Sequence, residues 1–543
     1  MILERLRNEA DERLAGWARS QGWTDPAPAV LLPPPPHIQA DVSLPWPMSA
    51  AKALRRKPLD VARETAQALA GLEILEKAEP IPPGFVNLRL KLSALTANLL
   101  DILGSPGSYG ACTSKHAQNI NLEFVSANPT GPVHLASGRA ATLGDSLARI
   151  LRRRGHRVAT EYYVNDVGRQ VQLLGLSVRA RYEELHGRPS QFPDDGYHGD
   201  YIKDIAASAP AEASGWDAPR FSAFAVEKML ESQKRDMAGF GTSFDRWFME
   251  SELHDRKALD AALAKLAALG KVHDKDGATW LGSAESAEDD KDRVLVRSDG
   301  RPTYFLGDIA YHQDKLSRGF DRMIDIWGAD HHGYVPRMKD AMAAIGAPKG
   351  SFHVIVHQLV HLFRGKEAVR MSKRAGEFIP LRDLVAEVGV DACRFFFAMR
   401  SPNAHLNFDI ELAKKQSQEN PVYYVQYVHA RTASIFREAE KSGIATGPEH
   451  LGALTHPAER ALLVKLARFP DALRACEEEL STHPLTTYLM ELAGLYHPFY
   501  EQCRVIDREA PPLSSARLSL CSGVRAVIAD GLGLLGVSAP ERM

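Results

Sequence analysis

Cysteine is scarce in this chain. There are five, Cys112, Cys393, Cys476, Cys503 and Cys521, an odd number with no two close enough for a CxxC pair. That excludes a disulfide-stapled fold and a cysteine-built zinc site, and it points to a reducing cytosol. Long apolar runs are missing as well, since no stretch approaches the ~20 consecutive apolar residues of a membrane span. Nor is either sign of charge in excess: 66 Lys and Arg stand against 68 Asp and Glu, for a formal charge of −2. A polyanionic partner must then be held by local patches rather than by the mean field, which leaves RNA open as a partner. The rest of the usage over 543 residues, 45% apolar, 25% charged and 8% aromatic, fits a globular chain of about three domains.

The amino end reads as an amphipathic helix with Ile2, Leu6, Leu14 and Trp17 near one face, and Glu4, Glu9, Asp11 and Glu12 argue against an organelle transit peptide. Pro33 to Pro36, Pro45, Pro47 and Pro58 extend the chain that follows. A helix is expected over roughly 59–75, a strand through Phe85, Leu88, Leu90 and Leu92, and a linker over 104–110, so residues 1–110 read as a small α+β domain. From residue 120 the pattern becomes strand, loop, helix, strand. Strands are expected at 120–125, 156–164, 322–328 and 353–360, with Leu143, Leu147, Ile150 and Leu151 marking the helix after the first. This alternation predicts a doubly wound parallel sheet over 111–419, interrupted by an insertion at about 187–300, with ligands beyond the carboxyl ends of the strands. Residues 420–543 read as an all-α bundle.

Three segments fall on strand ends. In NPTGPVHLASGRA a loop containing Pro129 and Gly131 leads into a helix that begins near His134, so free backbone N–H groups and the helix dipole would hold a phosphate. In VRMSKRAG, Arg370, Lys373 and Arg374 cluster on a Gly-ended loop suited to a triphosphate. In GRPTYFLGDIAYH, Tyr304 and Asp308 are four apart and share a face if the segment is helical; a carboxylate beside an aromatic ring suits a guanidinium. Alone, each segment also fits a structural histidine, a solvated charge run or an ordinary packed helix start. The basic cluster of 149–157 fits either a phosphate contact or a solvated helix end.

Together these residues resemble the class I aminoacyl-tRNA synthetases, with HLAS (residues 134–137) in place of HIGH and RMSKR (370–374) in place of KMSKS. The longer strings EFVSANPTGPVH, EYYVNDVGRQ, DKDRVLVRSDGRPTYFLGDIAYH, IWGADHHGYVPRM and DIELAKKQSQENPVYYVQYVHAR resemble the arginyl-tRNA synthetase family over nearly the whole chain. The resemblance implies ATP-dependent joining of arginine to tRNA through an arginyl-adenylate, with Mg²⁺ beside the phosphates and no dedicated protein metal site. It implies His134, Ser137 and Lys373 as catalytic donors. ATP would lie against Pro129, Gly131, His134, Ala136, Ser137, Arg370, Met371, Ser372 and Lys373. Arginine would meet Glu123, Asn128, Tyr304, Asp308 and, less directly, Asp330. The tRNA would meet Phe85 and Asn87 in an amino-terminal add-on domain, and Tyr424, Tyr427 and Arg431 in an anticodon-binding bundle. A cytoplasmic monomer without membrane attachment is expected, and family members commonly activate arginine only with tRNA bound.

Two departures stand in the first motif. Ala136 occupies the glycine position that admits the adenine ring, and Ser137 replaces the second histidine, a charged phosphate donor, by a hydroxyl. These departures leave a catalytically inactive RNA-binding paralogue as one alternative, and a nucleotidyltransferase of related fold as another. Retained Lys373 argues against the first and the large carboxyl-terminal bundle against the second.

Overall fold

The structure is a computed structural model that describes residues 1–35, 38–112, 117–282, 292–369 and 379–543. In the amino-terminal part, helix Ile2–Ser20 buries Leu3, Leu6, Ala10 and Leu14, the 3–4 spacing of one helical face. Strands β1 (Val42–Leu44), β2 (Leu75–Ile81) and β3 (Phe85–Leu90) form an antiparallel sheet in the order β1-β3-β2. Helices Trp46–Leu54 and Pro58–Leu69 each start with a proline in the first turn, where its missing N–H costs nothing. A further helix, Leu92–Gly104, stands where the sequence suggested only the tail of a strand.

The central sheet is parallel throughout. Its strands are β4 (Asn119–Glu123), β5 (Arg157–Val164) and β6 (Arg246–Met249), then, after a small antiparallel sheet of β7 (Val272–Lys275), β8 (Ala278–Leu281) and β9 (Arg293–Val296), β10 (Arg322–Gly328) and β11 (Phe352–His357). The order β11-β10-β4-β5-β6 makes β4 the point where the winding reverses, with a crevice between the carboxyl ends of β4 and β10. The stretch read as one insertion returns β6 to the edge of this sheet. Its four residues, Arg-Trp-Phe-Met, are too few to show a period in sequence. Strands β12 (Val360–Arg364), β13 (Glu367–Ala368) and β14 (Leu406–Asp409) form a separate three-stranded sheet, whose Val360 lines the crevice.

Helices Pro421–Lys441, Pro457–Ala467, Phe469–Glu479, His483–Gln502 and Pro511–Leu534 make the carboxyl-terminal bundle. The basic cluster at the end of helix Leu135–Arg153 docks the bundle, which is neither of the roles its sequence suggested. Arg153 forks onto Asp530 at 2.6 and 2.8 Å, Arg154 donates to Glu477 at 2.7 Å, and Arg149 donates to the Gly533 carbonyl at 3.2 Å. Fully buried Arg394 donates to the Leu535 and Phe240 carbonyls, at 2.8 and 3.1 Å, and to Asp145. The bundle also grips the amino-terminal domain, where Arg460 donates to Asp41 at 2.6 Å and to the Leu90 carbonyl at 2.6 Å.

Candidate active site

The chain leaves β4 through an unusual turn. Val125 and Ser126 both take left-handed backbone, with φ of 72° and 42°. For a β-branched residue this costs ~1–3 kcal/mol and persists only where the surroundings impose it. The Ser126 hydroxyl donates to Glu123 Oε1 at 2.8 Å and accepts from the Tyr163 N–H at 3.1 Å, while the Tyr162 hydroxyl accepts from the Ala127 N–H at 3.1 Å and donates to its carbonyl at 3.0 Å. The loop beyond is held from the other side. Fully buried Gln233 donates to the carbonyls of Asn128 and Gly131, both at 3.0 Å, and the Tyr201 hydroxyl donates to the Thr130 carbonyl at 2.8 Å. Asn128 is exposed and bonded to Gln170 at 2.8 Å, and Pro129 is buried.

His134 is the residue before helix Leu135–Arg153, with extended backbone, so the first free N–H groups of the helix open beside its imidazole. A cavity of about 380 Å³ lies there, lined by Ala127, His134, Ala136, Ser137, Asp330 and His357 among others. Ser137 is buried and Ala136 half-buried, so both departures of the first motif face this space. Burial, with Arg139 next, pulls the His357 imidazole down to about 4, which keeps it neutral near pH 7. Arg139 in turn donates to the Gln358, Ser401 and Ala404 carbonyls at 2.7, 2.9 and 2.8 Å and ties the far wall to the helix. Arg370, Met371, Ser372 and Lys373 lie outside the described residues.

The other side of the crevice is charged. Helix Tyr304–Ser317 is capped by Thr303, whose hydroxyl accepts from the Leu306 N–H, and Tyr304 and Asp308 do share a face of it. Tyr304 is 70% exposed at the mouth. Below it Asp308 accepts from the Tyr334 hydroxyl at 2.5 Å, and burial raises its pKa above the ordinary carboxylate range. Sequence reasoning missed its neighbour Glu250, just past β6. Burial lifts the Glu250 carboxyl to about 7, with the nearby charges of Asp308 and Asp166 adding to the shift and a bond from Tyr163 opposing it. A carboxylate after a four-residue strand carries no sequence signal of its own. Glu123 lies deeper, both oxygens engaged by Ser126 and Lys315, and Asp330 lines the cavity beside His134 instead. A larger cavity of about 780 Å³, walled by Val171, Val226, Leu230 and Met249, lies past β5 and β6.

The arginine–tRNA ligase of Elusimicrobium minutum is 47% identical over 543 residues, covering all of both chains. The chain belongs to the arginyl-tRNA synthetase family. The corresponding ligase of Carboxydothermus hydrogenoformans is 42% identical, again over the whole of both chains. Three family models match in order: the arginyl tRNA synthetase N terminal domain over residues 4–90, the catalytic domain of class I (R) tRNA synthetases over 98–192, and the DALR anticodon binding domain over 425–543. Among solved structures, a putative arginyl tRNA synthetase from Campylobacter jejuni is 34% identical with a TM-score of 0.76, covering 84% of this chain and 100% of that one. The arginyl-tRNA synthetase of Thermus thermophilus, at 23% identity, shares the fold with a TM-score of 0.78 over 99% of this chain and 100% of its own.

The residues expected to meet tRNA do not line the cavity beside His134. Phe85 is half-exposed, whereas Asn87 is 6% exposed on β3, opposite Ser43 and Glu79. On the bundle, Tyr424 stacks on His497 at 4.8 Å between ring centres, Tyr427 on Tyr423 at 6.2 Å, and Arg431 lies over Tyr500 at 4.5 Å. All three predicted residues are partly exposed, on a face built from rings.

Proposed function

We propose that the crevice joins L-arginine to its tRNA in two steps, ATP lying on the His134 wall and the guanidinium between Asp308 and Glu250. The carboxylate of arginine attacks the α-phosphorus of ATP and pyrophosphate leaves. The terminal 2′-hydroxyl of tRNA then attacks the carbonyl of the arginyl-adenylate, and AMP is released. The observation that carries this reading is the acidic pair. Two buried carboxyls near each other, both raised in pKa, have no lysine or arginine bonded to them among the described residues, Glu250 having only the His254 imidazole at 4.0 Å, and a planar guanidinium supplies a permanent charge together with donors for both. Lysine has no such fork and leaves a buried oxygen without a partner.

On the opposite wall His134, Ser137 and the first free N–H groups of helix Leu135–Arg153 donate to the phosphates as charge shifts onto them, where one donor is worth ~2.7–4 kcal/mol. Pro129, Gly131 and Ala136 shape the space for the nucleotide, and Arg370, Met371, Ser372 and Lys373 complete it from the second motif. Asn128 at the rim and Tyr304 at the mouth bound the arginine, with Asp330 between the two substrates. Mg²⁺ accompanies the phosphates in this proposal. Among the described residues no three His, Cys, Asp or Glu side chains converge to cage an ion.

The tRNA spans the molecule, with Phe85 and Asn87 of the domain 1–110 at one end, the catalytic domain 111–419 at the centre, and Tyr424, Tyr427 and Arg431 of the bundle 420–543 at the other. Unpaired bases stacking on rings supply this type of recognition. A cytosolic monomer completes the proposal; no described helix is long and apolar enough to cross a membrane. Pyrophosphate exchange and tRNA charging, each measured with and without tRNA and arginine, test it. Arginine-dependent exchange that requires tRNA is the expected result, and absence of charging with every substrate present overturns it.

A further inference from the structure

Three carboxylates stand side by side across the central sheet. Asp325 on β10, Glu123 on β4 and Glu161 on β5 occupy paired register positions, at 1%, 7% and 1% exposure. Like charges directly opposite one another repel, and inside a fold they require cations. One helix end supplies both. Lys315, with no exposed surface, donates to Glu123 Oε2 at 2.6 Å and to Asp325 Oδ1 at 2.8 Å. Arg318, just past the helix, forks onto Glu161 at 2.5 and 2.9 Å, and the Tyr311 hydroxyl donates to Glu161 at 2.6 Å. His312 bonds the remaining oxygen of Asp325 at 2.8 Å.

The geometry of this row reaches the arginine pocket by two routes. Residues 304, 308, 311 and 315 follow one face of the helix, so the cation bridge at its buried end sets the register of Tyr304 and Asp308 at its open end. On the sheet side, Glu123 spends its second oxygen on the Ser126 hydroxyl, and Ser126 closes the left-handed turn that leads to Asn128. We infer that Lys315 is a positioning residue for arginine activation: by bridging Glu123 and Asp325 it locks the helix bearing Tyr304 and Asp308 to the turn presenting Asn128. Glu123 acts in this device from beneath the turn. The inference rests on the arginine-pocket reading given above.

Steady-state charging by the full chain, with tRNA saturating, tests the bridge through Lys315→Met, Ser126→Ala and the double variant. Each single change is expected to raise the KM for arginine about tenfold and to leave the KM for ATP within about twofold. The double variant is expected to be no worse than Lys315→Met alone, because both changes break one chain of contacts. A lysine that only fills charge and space predicts a silent Ser126→Ala or multiplying effects, and either result overturns the inference. Should Lys315→Met fail to fold, Glu123→Gln takes its place in the same cycle, keeping volume and leaving Lys315 on Asp325; effects that multiply there also overturn it. A parent protein that fails to charge arginine defeats the pocket reading itself, whereas a charging parent whose variants keep its arginine KM defeats only the bridge.

Discussion

The wall proposed for the nucleotide consists of backbone and small groups, the open N–H groups of helix Leu135–Arg153 beside His134, Ala136 and Ser137, whereas the wall proposed for arginine is built of bonded side chains, Tyr334 on Asp308 and Lys315 on Glu123 and Asp325. The first wall offers the same phosphate donors to any nucleoside triphosphate. As proposed, the second takes a ligand of one charge and one shape at Asp308 and Glu250, since Lys315 already serves Glu123 and Asp325 and leaving a buried carboxylate without its partner costs several kcal/mol. Generic chemistry is thus placed on main chain, where side-chain changes are tolerated, and discrimination on side chains that fix one another. The substitutions at Ala136 and Ser137 occur on the tolerant wall.

The strongest way to break this contrast is Asp308→Asn, which keeps shape and removes charge. Its kcat/KM for arginine should fall about 10³-fold, with ATP affinity preserved, as expected when one member of a desolvated charge pair is lost. Unchanged arginine kinetics would remove Asp308 from the pocket. On the tolerant wall Ser137→Ala should slow adenylate formation by roughly 30-fold in single-turnover measurements, less than a charged donor would cost, and Ala136→Gly should act instead on the ATP constant. If both match the parent, the phosphates rest on His134 and the helix N-terminus alone.

The acidic wall should also show itself in pH. Glu250 titrates at about 7 in the free protein against an ordinary 4.5, so it is mostly protonated below pH 7 and binds a cation poorly there. The KM for arginine should therefore fall by up to about tenfold per unit as pH rises toward 7 and level off above it, and Glu250→Gln should flatten the profile. For stability the sign is opposite. A carboxyl whose folded pKa is raised contributes below its unfolded value, and that contribution is lost as pH rises through about 7, so the arginine-free protein should melt lower at pH 8 than at pH 5 from this group, with arginine offsetting the loss. Asn87→Ala should have the smallest effect, a rise of about threefold in the KM for tRNA with arginine binding unmoved, well within one base contact. A defect in arginine binding there would make Asn87 a packing residue of β3.

Much of this was readable from sequence where periodicity or a string of special residues marked it. Strand β10 has the extent expected from its sequence, and Tyr304 and Asp308 fall on one helical face as their spacing requires. The strand expected at 120–125 instead ends at Glu123, because Val125 and Ser126 turn left-handed, a conformation that neither residue type advertises. Lys315 was invisible for a related reason: a lysine near a helix end normally reads as solvated, and only the three carboxylates on separate strands explain its burial. Glu250 and the arginines of the 149–157 cluster likewise take their meaning from partners distant in the chain, up to 384 residues away for Arg149 and the Gly533 carbonyl.

Helix Leu135–Arg153 is about 28 Å long at 1.5 Å per residue over its 19 residues, and its two ends belong to different tasks. One end opens on the cavity beside His134; the other is bolted to the last helix of the bundle by Arg149 and Arg153. Such an element behaves as a lever whose fulcrum is the sheet it crosses. Hydrogen exchange along it should consequently slow from the Arg153 end when RNA loads the bundle, and cutting the bundle away should release the amides around His134 although no residue of the nucleotide wall has been touched.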